Sequence, residues 1–530
     1  MKPWSKKLGT VIIGAALVVT GMSLPASAET PNVITVADSQ AGGVGTQQIA
    51  NPWFNSGSLH QTSMFRALFR SDATLMKVKP DLAESYKLSK DEKTLTVKLK
   101  SGLKWSDGEP ITGDDVVWSI NTALRGAAVN ANYAAAFKQI VGGADVSAKT
   151  TTNMSGLTES GNTITFKLIA PQGLLIPILA QFVILPKHSL EKADPVTLNT
   201  NAFWKNPVTS GPFKVGTLSP GNFISLVQNT NYEGTPPKIT GINVISTSNP
   251  VSDARSGKID YFVSNDPEVA RQMIAVSSFK ANPTKILFYR YFVYNLTQSD
   301  AAFADVKSRQ ALQYGVDWNN LVKTLYPNQS GAVINSGVPS GQPHHDPKIL
   351  KYKFDPAKAK ALLKAANFDY SKTIRLRYYN ADQTSVNFMT AVAQQLIDLG
   401  LKVDVLKFQG DATTELYTTR NYDLALKGLS AFSVAEWFGE YAATATFGKI
   451  IGDQPDFIKL TSALAQSTTL RATGTSLASL QALEQKTLLK MPLYLIKQTV
   501  YVSKRISGLP SAFGNPLYMY DNSLQNWVAR

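Results

Sequence analysis

Four histidines, His60, His188, His344 and His345, are the side chains most suited to metal or proton chemistry in this sequence. His344 and His345 are adjacent, so regular structure cannot aim both at one ion. No H-x-x-x-H spacing and no cysteine accompanies them. The pair reads as a surface loop before Asp346 and Pro347, and no metal site is expected. Nucleophilic catalysis finds no better footing. There is no G-x-S-x-G elbow, no cysteine nucleophile and no phosphate-binding loop. Paired carboxylates are the one catalytic device that a sequence read alone leaves open. The reading is therefore of a binder, not an enzyme, with no cofactor.

Composition supports a folded protein. In 530 residues, 44% are hydrophobic and 17% charged, enough for roughly two to four domains. Residues 1–28 read as a secretory leader. Lys2, Lys6 and Lys7 precede a short apolar run broken by Gly9, Thr10 and Gly14, and Ala26-Ser27-Ala28 supplies the cleavage pattern. The expected mature chain begins near Glu29. It has no cysteine for disulfides or lipid attachment, so a protein free in the periplasm is expected, or a surface-associated one if the host lacks an outer membrane. Net charge is +15, and removing the three leader lysines leaves +12. The basic residues are scattered, which argues against nucleic acid and for loose association with an anionic envelope.

The elements that must position any site follow from pattern. "TLTVKLK" from Thr94 alternates like a half-buried strand. Asp107-Gly108 makes a turn. Thr112 then caps a helix whose first turn carries Asp114 and Asp115, with Val117, Ile120 and Leu124 on one face. Residues 59–69 and 305–325 read as helices. A further helix opens at Asp355-Pro356, with Ala359, Leu362, Leu363 and Ala366 as its buried stripe. Residues 387–399 form another, ended by Gly400 and followed by the strand "LKVDVLKF". Residues 162–168, 223–228 and 291–296 read as strands, with "TSGPF" at 209–213 as a tight turn. Alternating helices and strands over 305–429 predict an α/β lobe.

"LKWSDGEPITGDDVVWSI" closely resembles a signature of the extracellular solute-binding proteins of bacterial ABC importers, in the dipeptide/oligopeptide-binding family. "PDLAESYKLSKDEKTLTVKLK" precedes it. "TSGPFKV", "YFVYNL", "FADVKSRQALQYGVDWNNLVKTLY", "YKFDPAKAKALLKAANF" and "MPLYLIKQTV" follow in the family's order. The resemblance implies a two-lobed α/β periplasmic-binding fold of the large peptide-binding type (type II). The implied division is a first lobe over 29–290 with a subdomain near 76–200, a second lobe over 291–498, and a return of 499–530 to the first. The chain would cross near 291–295 and return near 498–501. It also implies capture of a peptide or peptide-like solute between the lobes, closure, and delivery to an inner-membrane ABC permease by a monomer.

The resemblance places a ligand amine near "GLSAFSVAEWFGEY", at 428–441. There the family pattern has Gly-Trp, two residues, Asp, and an Asp-Pro pair beyond. Here Phe432 stands at the aspartate position, Leu429 replaces the aromatic, and Ala435-Glu436 replaces Asp-Pro. A buried ammonium without a carboxylate is costly. Either Glu436 or another acid pairs with it, or the solute has no free amine. Modified peptides, opines, glycosides and metal chelates are then alternatives to ordinary peptides, with an envelope chaperone or hydrolase further off. The candidate ligand-binding residues are Trp53, Phe54, Tyr294, Asn295, Ser430, Phe432, Glu436 and Trp437. For Tyr294 and Asn295 a hinge role competes with ligand contact, for Trp53 and Phe54 core packing does, and for Glu436 a solvated helix start.

Overall fold

A computed structural model describes residues 32–38, 49–54, 58–128, 133–284, 286–327 and 330–530; the leader lies outside them. The alternation at "TLTVKLK" forms the strand Thr94–Leu99 with Leu95, Val97 and Leu99 buried. It pairs antiparallel with Ala83–Leu88 and Thr163–Lys167, in a four-stranded sheet completed by Leu157–Ser160. Gly108 takes the turn at φ +101°, in the left-handed region where a side chain is disfavoured. The helix Gly113–Arg125 follows, with Asp115 Oδ2 accepting from the Thr112 N–H at 2.9 Å. Asp115 Oδ1 accepts from the Lys187 N–H at 2.9 Å. The cap therefore also ties the helix to the next segment.

Two larger sheets organise the rest. The first has seven strands in the spatial order Phe279–Pro283, Thr499–Ser503, Tyr261–Ser264, Val33–Ala37, Gly241–Ile245, Phe223–Gln228, Phe213–Ser219. Val33–Ala37 runs parallel to both neighbours. The late strand Thr499–Ser503 inserts antiparallel between Phe279–Pro283 and Tyr261–Ser264, which brings the C-terminal segment onto the first lobe.

The second sheet has six strands, in the order Gly331–Val333, Lys490–Ile496, Leu287–Tyr294, Leu424–Ala431, Thr373–Tyr378, Lys402–Lys407. Helices cover both its faces, so its inner strands are largely buried and mostly apolar, with Arg290, Lys427 and Lys490 as buried or half-buried exceptions. On Leu287–Tyr294 the two-residue period splits the side chains. Phe292 and Tyr294 join the core with Leu312, Phe388 and Val392. Tyr289, Tyr291 and Val293 join Trp437, Phe438 and Leu480 on the other face.

The passage between lobes lies earlier than the strand pattern suggests. Leu287–Tyr294 belongs wholly to the second sheet, so a boundary at 290/291 falls inside it. The chain leaves the first sheet at Pro283 and enters the second at Leu287. It returns at 497–498, between Lys490–Ile496 and Thr499–Ser503. The crossings touch: Thr284 N–H and Oγ1–H both donate to the Gln498 carbonyl, at 2.8 and 2.9 Å. An extended segment feeding one sheet from another reads as continuous strand, so periodicity alone does not mark where the sheet changes.

Helix ends moved for identifiable reasons. The helix expected over 59–69 is Leu59–Met64, with Phe65 already extended. That expected over 305–325 breaks in two, Val306–Gly315 and Trp318–Leu325, because Asp317 caps a new start through the Asn320 N–H. Gln383–Asp398 begins earlier than 387, at the cap Asp382.

The first lobe holds a buried ion cluster. Asp81 accepts from Arg66 Nε at 3.0 Å and Arg70 Nη2 at 2.9 Å, and Arg66 also reaches Glu233 at 2.6 Å. Burial pushes the Asp81 acid up, but the Arg70 and Arg66 guanidiniums outweigh it and hold the pKa at about 2, against 3.8 unperturbed. A depressed carboxyl stabilises the fold above its unfolded pKa and loses that contribution as pH falls. The pair's share of stability should therefore be complete above pH 3.8 and disappear as pH falls towards 2. Asp81→Ala strands two guanidiniums and should cost about 3–5 kcal/mol in denaturant unfolding at neutral pH. A loss below about 1 kcal/mol, the scale of an exposed pair, would contradict this account.

Candidate functional site

A crevice runs between the lobes beside the double crossing. An apolar chamber in it has an empty volume of about 840 Å³, mouth included. Leu75, Met76, Leu174 and Pro177 come from the first lobe, Ile286 and Leu287 from the crossing, and Phe432, Val434 and Leu464 from the second. Among the described residues no Asp, Glu, Lys or Arg lines it. A more polar chamber of about 740 Å³ lies at the end of Val33–Ala37 and is lined by Asp38, His60, Asn265 and Gln498 among others. There His60 Nδ1 is 3.2 Å from Asp38 Oδ2. Burial lowers the His60 pKa more than Asp38 raises it, so the ring is neutral at pH 7. Asn515 lines the first chamber and Pro516 the second, so the returning C-terminal segment separates them.

The lobes touch across the crevice. The Gly173 N–H donates to the Ala465 carbonyl at 3.2 Å, and Tyr518 O–H to the Ser430 carbonyl at 3.2 Å. Tyr518 and Phe432 meet edge to face at 5.5 Å. At Gly173 an added Cβ would lie 2.0 Å from the Ser467 carbonyl oxygen. The contact therefore requires the absence of a side chain.

The residues singled out from sequence separate into two groups. Phe432 lines the apolar chamber. Ser430 sits beside it, with its carbonyl held by Tyr518 and its Oγ buried without a partner. Glu436 lies behind that wall as a helix cap. Its Oε1 accepts from the Phe432 and Ser433 N–H groups at 2.8 and 3.2 Å, and burial pushes its acid up to about 7. The carboxyl thus shapes the turn that presents Phe432.

The other five are not in the crevice lining. Trp437 is fully buried in the second lobe, with its indole N–H on Glu484 Oε1 at 2.5 Å and its ring 4.7 Å from Tyr289. Trp53 is buried in the first lobe, stacked on Phe182, with its N–H on the Val183 carbonyl at 2.8 Å. Phe54 is 42% exposed and lines neither chamber. Tyr294 and Asn295 lie at the far end of the crossing strand, away from the hinge. Tyr294 O–H reaches Met491 Sδ at 3.5 Å, and Asn295 Nδ2 donates to the Arg420 carbonyl at 2.8 Å. An aromatic in a polar stretch announces burial as readily as recognition, and the sequence does not say which.

Sequence reasoning missed Leu75, Met76 and the 342–344 loop. His344 was visible but read as surface. It takes φ +66°, lines the apolar chamber, and keeps Nε2 buried and unpartnered. His345 turns away to the Val338 carbonyl, 2.7 Å from its Nδ1. Among the described residues no group of three His, Asp or Glu could hold a metal ion, and no helix is long and apolar enough to cross a membrane.

Comparison with known proteins agrees with this architecture. Residues 77–446 match the family described as bacterial extracellular solute-binding proteins, family 5 Middle. The dipeptide-binding protein of Escherichia coli is 27% identical over 398 residues, covering 70% of this chain and 69% of its own. The oligopeptide-binding protein AppA of Bacillus subtilis is 26% identical over 410 residues, covering 73% and 72%. A Brucella ovis relative named for ABC-transporter peptide binding is 27% identical over 348 residues, 64% of this chain, and the chain spans 62% of that relative's length. Among solved structures, the substrate-binding protein CtaP of Listeria monocytogenes superposes with a TM-score of 0.79 at 22% identity, covering 94% of this chain and 99% of its own. Lactococcal OppA, closed on an endogenous peptide, gives 0.73 at 20% identity, covering 92% and 99%. The chain belongs to the bacterial extracellular solute-binding proteins, family 5.

Proposed function

We propose that this protein captures a peptide or peptide-like solute between its lobes outside the cytoplasm and hands it to an ABC permease. The carrying observation is the apolar chamber, whose walls come from both lobes and the crossing between them. A solute filling it touches both lobes at once and favours the closed arrangement by that difference in contact. The peptide-binding names of the relatives support the solute class.

The chamber also narrows that class. Phe432 replaces the carboxylate that the resemblance places near a ligand amine, and Glu436 is tied to the backbone behind it. Among the described lining residues an ammonium inserted there would meet no carboxylate. The part of the solute buried in this chamber is therefore apolar and uncharged: a hydrophobic side chain, or a peptide whose amine is blocked or lies elsewhere. Export by the leader, release as a free monomer and partnership with a permease complete the reading.

Mass spectrometry of solute released by denaturing protein purified from its native host tests this directly. A near-stoichiometric peptide-like molecule with an apolar group is expected. A stoichiometric sugar or metal chelate would overturn the peptide reading. A second test uses the lobe contact. Gly173→Ala places its methyl against the Ser467 carbonyl and penalises the closed form. Overpacking of this kind costs about 1–3 kcal/mol, and a less populated competent state weakens apparent affinity in proportion. Calorimetric titration with the released solute should show about tenfold weaker binding or worse, with thermal stability of the unliganded protein retained. Unchanged affinity would contradict closure through this contact.

A further inference from the structure

Arg290 lies on the crossing strand, three residue pairs past the chamber-lining Leu287 and Ala431, and is only 7% exposed. It pairs across the sheet with Gly428 on one side and Tyr494 on the other. Gly428 makes room for it: an added Cβ would lie 1.9 Å from Arg290 Nη1. The guanidinium therefore lies over Gly428 of the neighbouring strand, close to the Tyr379 hydroxyl, which accepts the Gly428 N–H at 2.8 Å. The Phe288 ring centroid lies 4.9 Å from its Cζ.

What this cation lacks is an anion. Among the described residues no hydrogen bond and no ion pair engages the guanidinium, and Nε is buried without a partner. The nearby acid Asp382 is already committed, accepting from the Ser385 N–H and Oγ–H at 2.9 and 2.8 Å. It caps the sixteen-residue helix Gln383–Asp398, whose positive end adds to the local field. Tyr326 and Tyr494 hold each other, O to O, at 3.2 Å. Two further buried atoms are unpartnered: Ser430 Oγ, two pairs from Arg290 towards the crevice and on the same face of the sheet, and Asn380 Oδ1, two residues past Thr373–Tyr378. A buried guanidinium left unpaired costs several kcal/mol, and a forked donor fits a carboxylate with two parallel hydrogen bonds. The separation from the chamber-lining pair Leu287 and Ala431 is about 10 Å along the strand, and the half-buried Phe288 stands between them.

We propose that Arg290 is an anion-binding residue of the crevice and that the solute carries a carboxylate which lies against its guanidinium, with Ser430 Oγ as a second donor. This rests on the reading of the crevice as the solute site and deepens it. The solute is then apolar in the large chamber and acidic at the crossing strand.

The test uses ligand-stripped full-length protein and two probes. The first is a tripeptide library offered as free acids and as C-terminal amides, with binding read by native mass spectrometry. The wild-type protein should retain acids over amides by about tenfold or more, the scale of a charged hydrogen bond left unmade. Arg290→Met should abolish that preference and Arg290→Lys should keep part of it. Acids and amides bound equally by the wild-type protein would overturn the proposal whatever the variants do, and would leave the peptide reading standing. The second probe is benzoate against benzamide at matched ionic strength, read as thermal shift. Stabilisation by benzoate alone, lost in Arg290→Met, with no tripeptide bound, would uphold the anion site and overturn the peptide reading. No binding by either probe would overturn both.

Discussion

Among the described residues two segments join the two large sheets, and they run side by side. Thr284 grips the Gln498 carbonyl twice, through its N–H and its hydroxyl. This constraint governs the rest of the molecule. Two adjacent extended strands resist shear and twist slightly, so the lobes can change their angle while each keeps its own core. Such a hinge needs no glycine or unusual residue, since a few backbone angles at element ends absorb the motion. It also fixes where the crevice lies. Leu287 and Gln498 emerge from the crossing straight into the walls of the two chambers.

The second lobe is built to act as a rigid jaw. Behind the Phe432 turn, Glu440 receives Lys427, Lys490 and the Tyr291 hydroxyl. Lys490 is fully buried and stands 3.9 Å from the Trp437 ring centroid. Burial pushes the Lys490 ammonium down to about 8 against the pull of Glu440 and Glu484, so it stays charged at neutral pH. The Glu440 acid is raised by burial, but Lys490 and Lys427 outweigh that and hold it at about 2. A fully engaged buried network of this kind favours one arrangement of its side chains. The contrast with Arg290, on the opposite face of the same sheet, is the reason that residue stands out. Lys490 is hydrogen-bonded to Glu440 and the Trp437 carbonyl, whereas among the described residues the Arg290 guanidinium has no hydrogen-bonded or ion-paired partner.

Much of the architecture was legible in the residues because local rules decide it. Thr112 with Asp115, Asp355 with Pro356, and the alternation from Thr94 each carry their structure within a few positions. The crossing point was not legible, since strand pattern is the same on either side of Thr284. The helix over 305–325 hid its break because Asp317 reads equally well as an exposed residue or as a cap. At the site, the departure of Phe432 from the family's acid was visible, and it does line the crevice. Trp437, Trp53 and Tyr294 share its aromatic character but satisfy their polar atoms inside a lobe, which depends on partners far away in sequence. Arg290 was invisible for the opposite reason. An arginine inside an apolar strand gives no local sign that its partner is missing.

The account depends on the two halves moving together around a solute. The chain has no cysteine, so Lys77→Cys and Leu470→Cys provide two unique labelling sites. They lie next to and near the chamber residues Met76 and Thr473, and Leu470 is 73% exposed. Single-molecule energy transfer between labels at these positions, with the solute recovered from the native host, reports the width of the mouth. The account predicts a longer and broader distance in stripped protein that collapses to one shorter distance as solute saturates. The same distance distribution with and without saturating solute would contradict it.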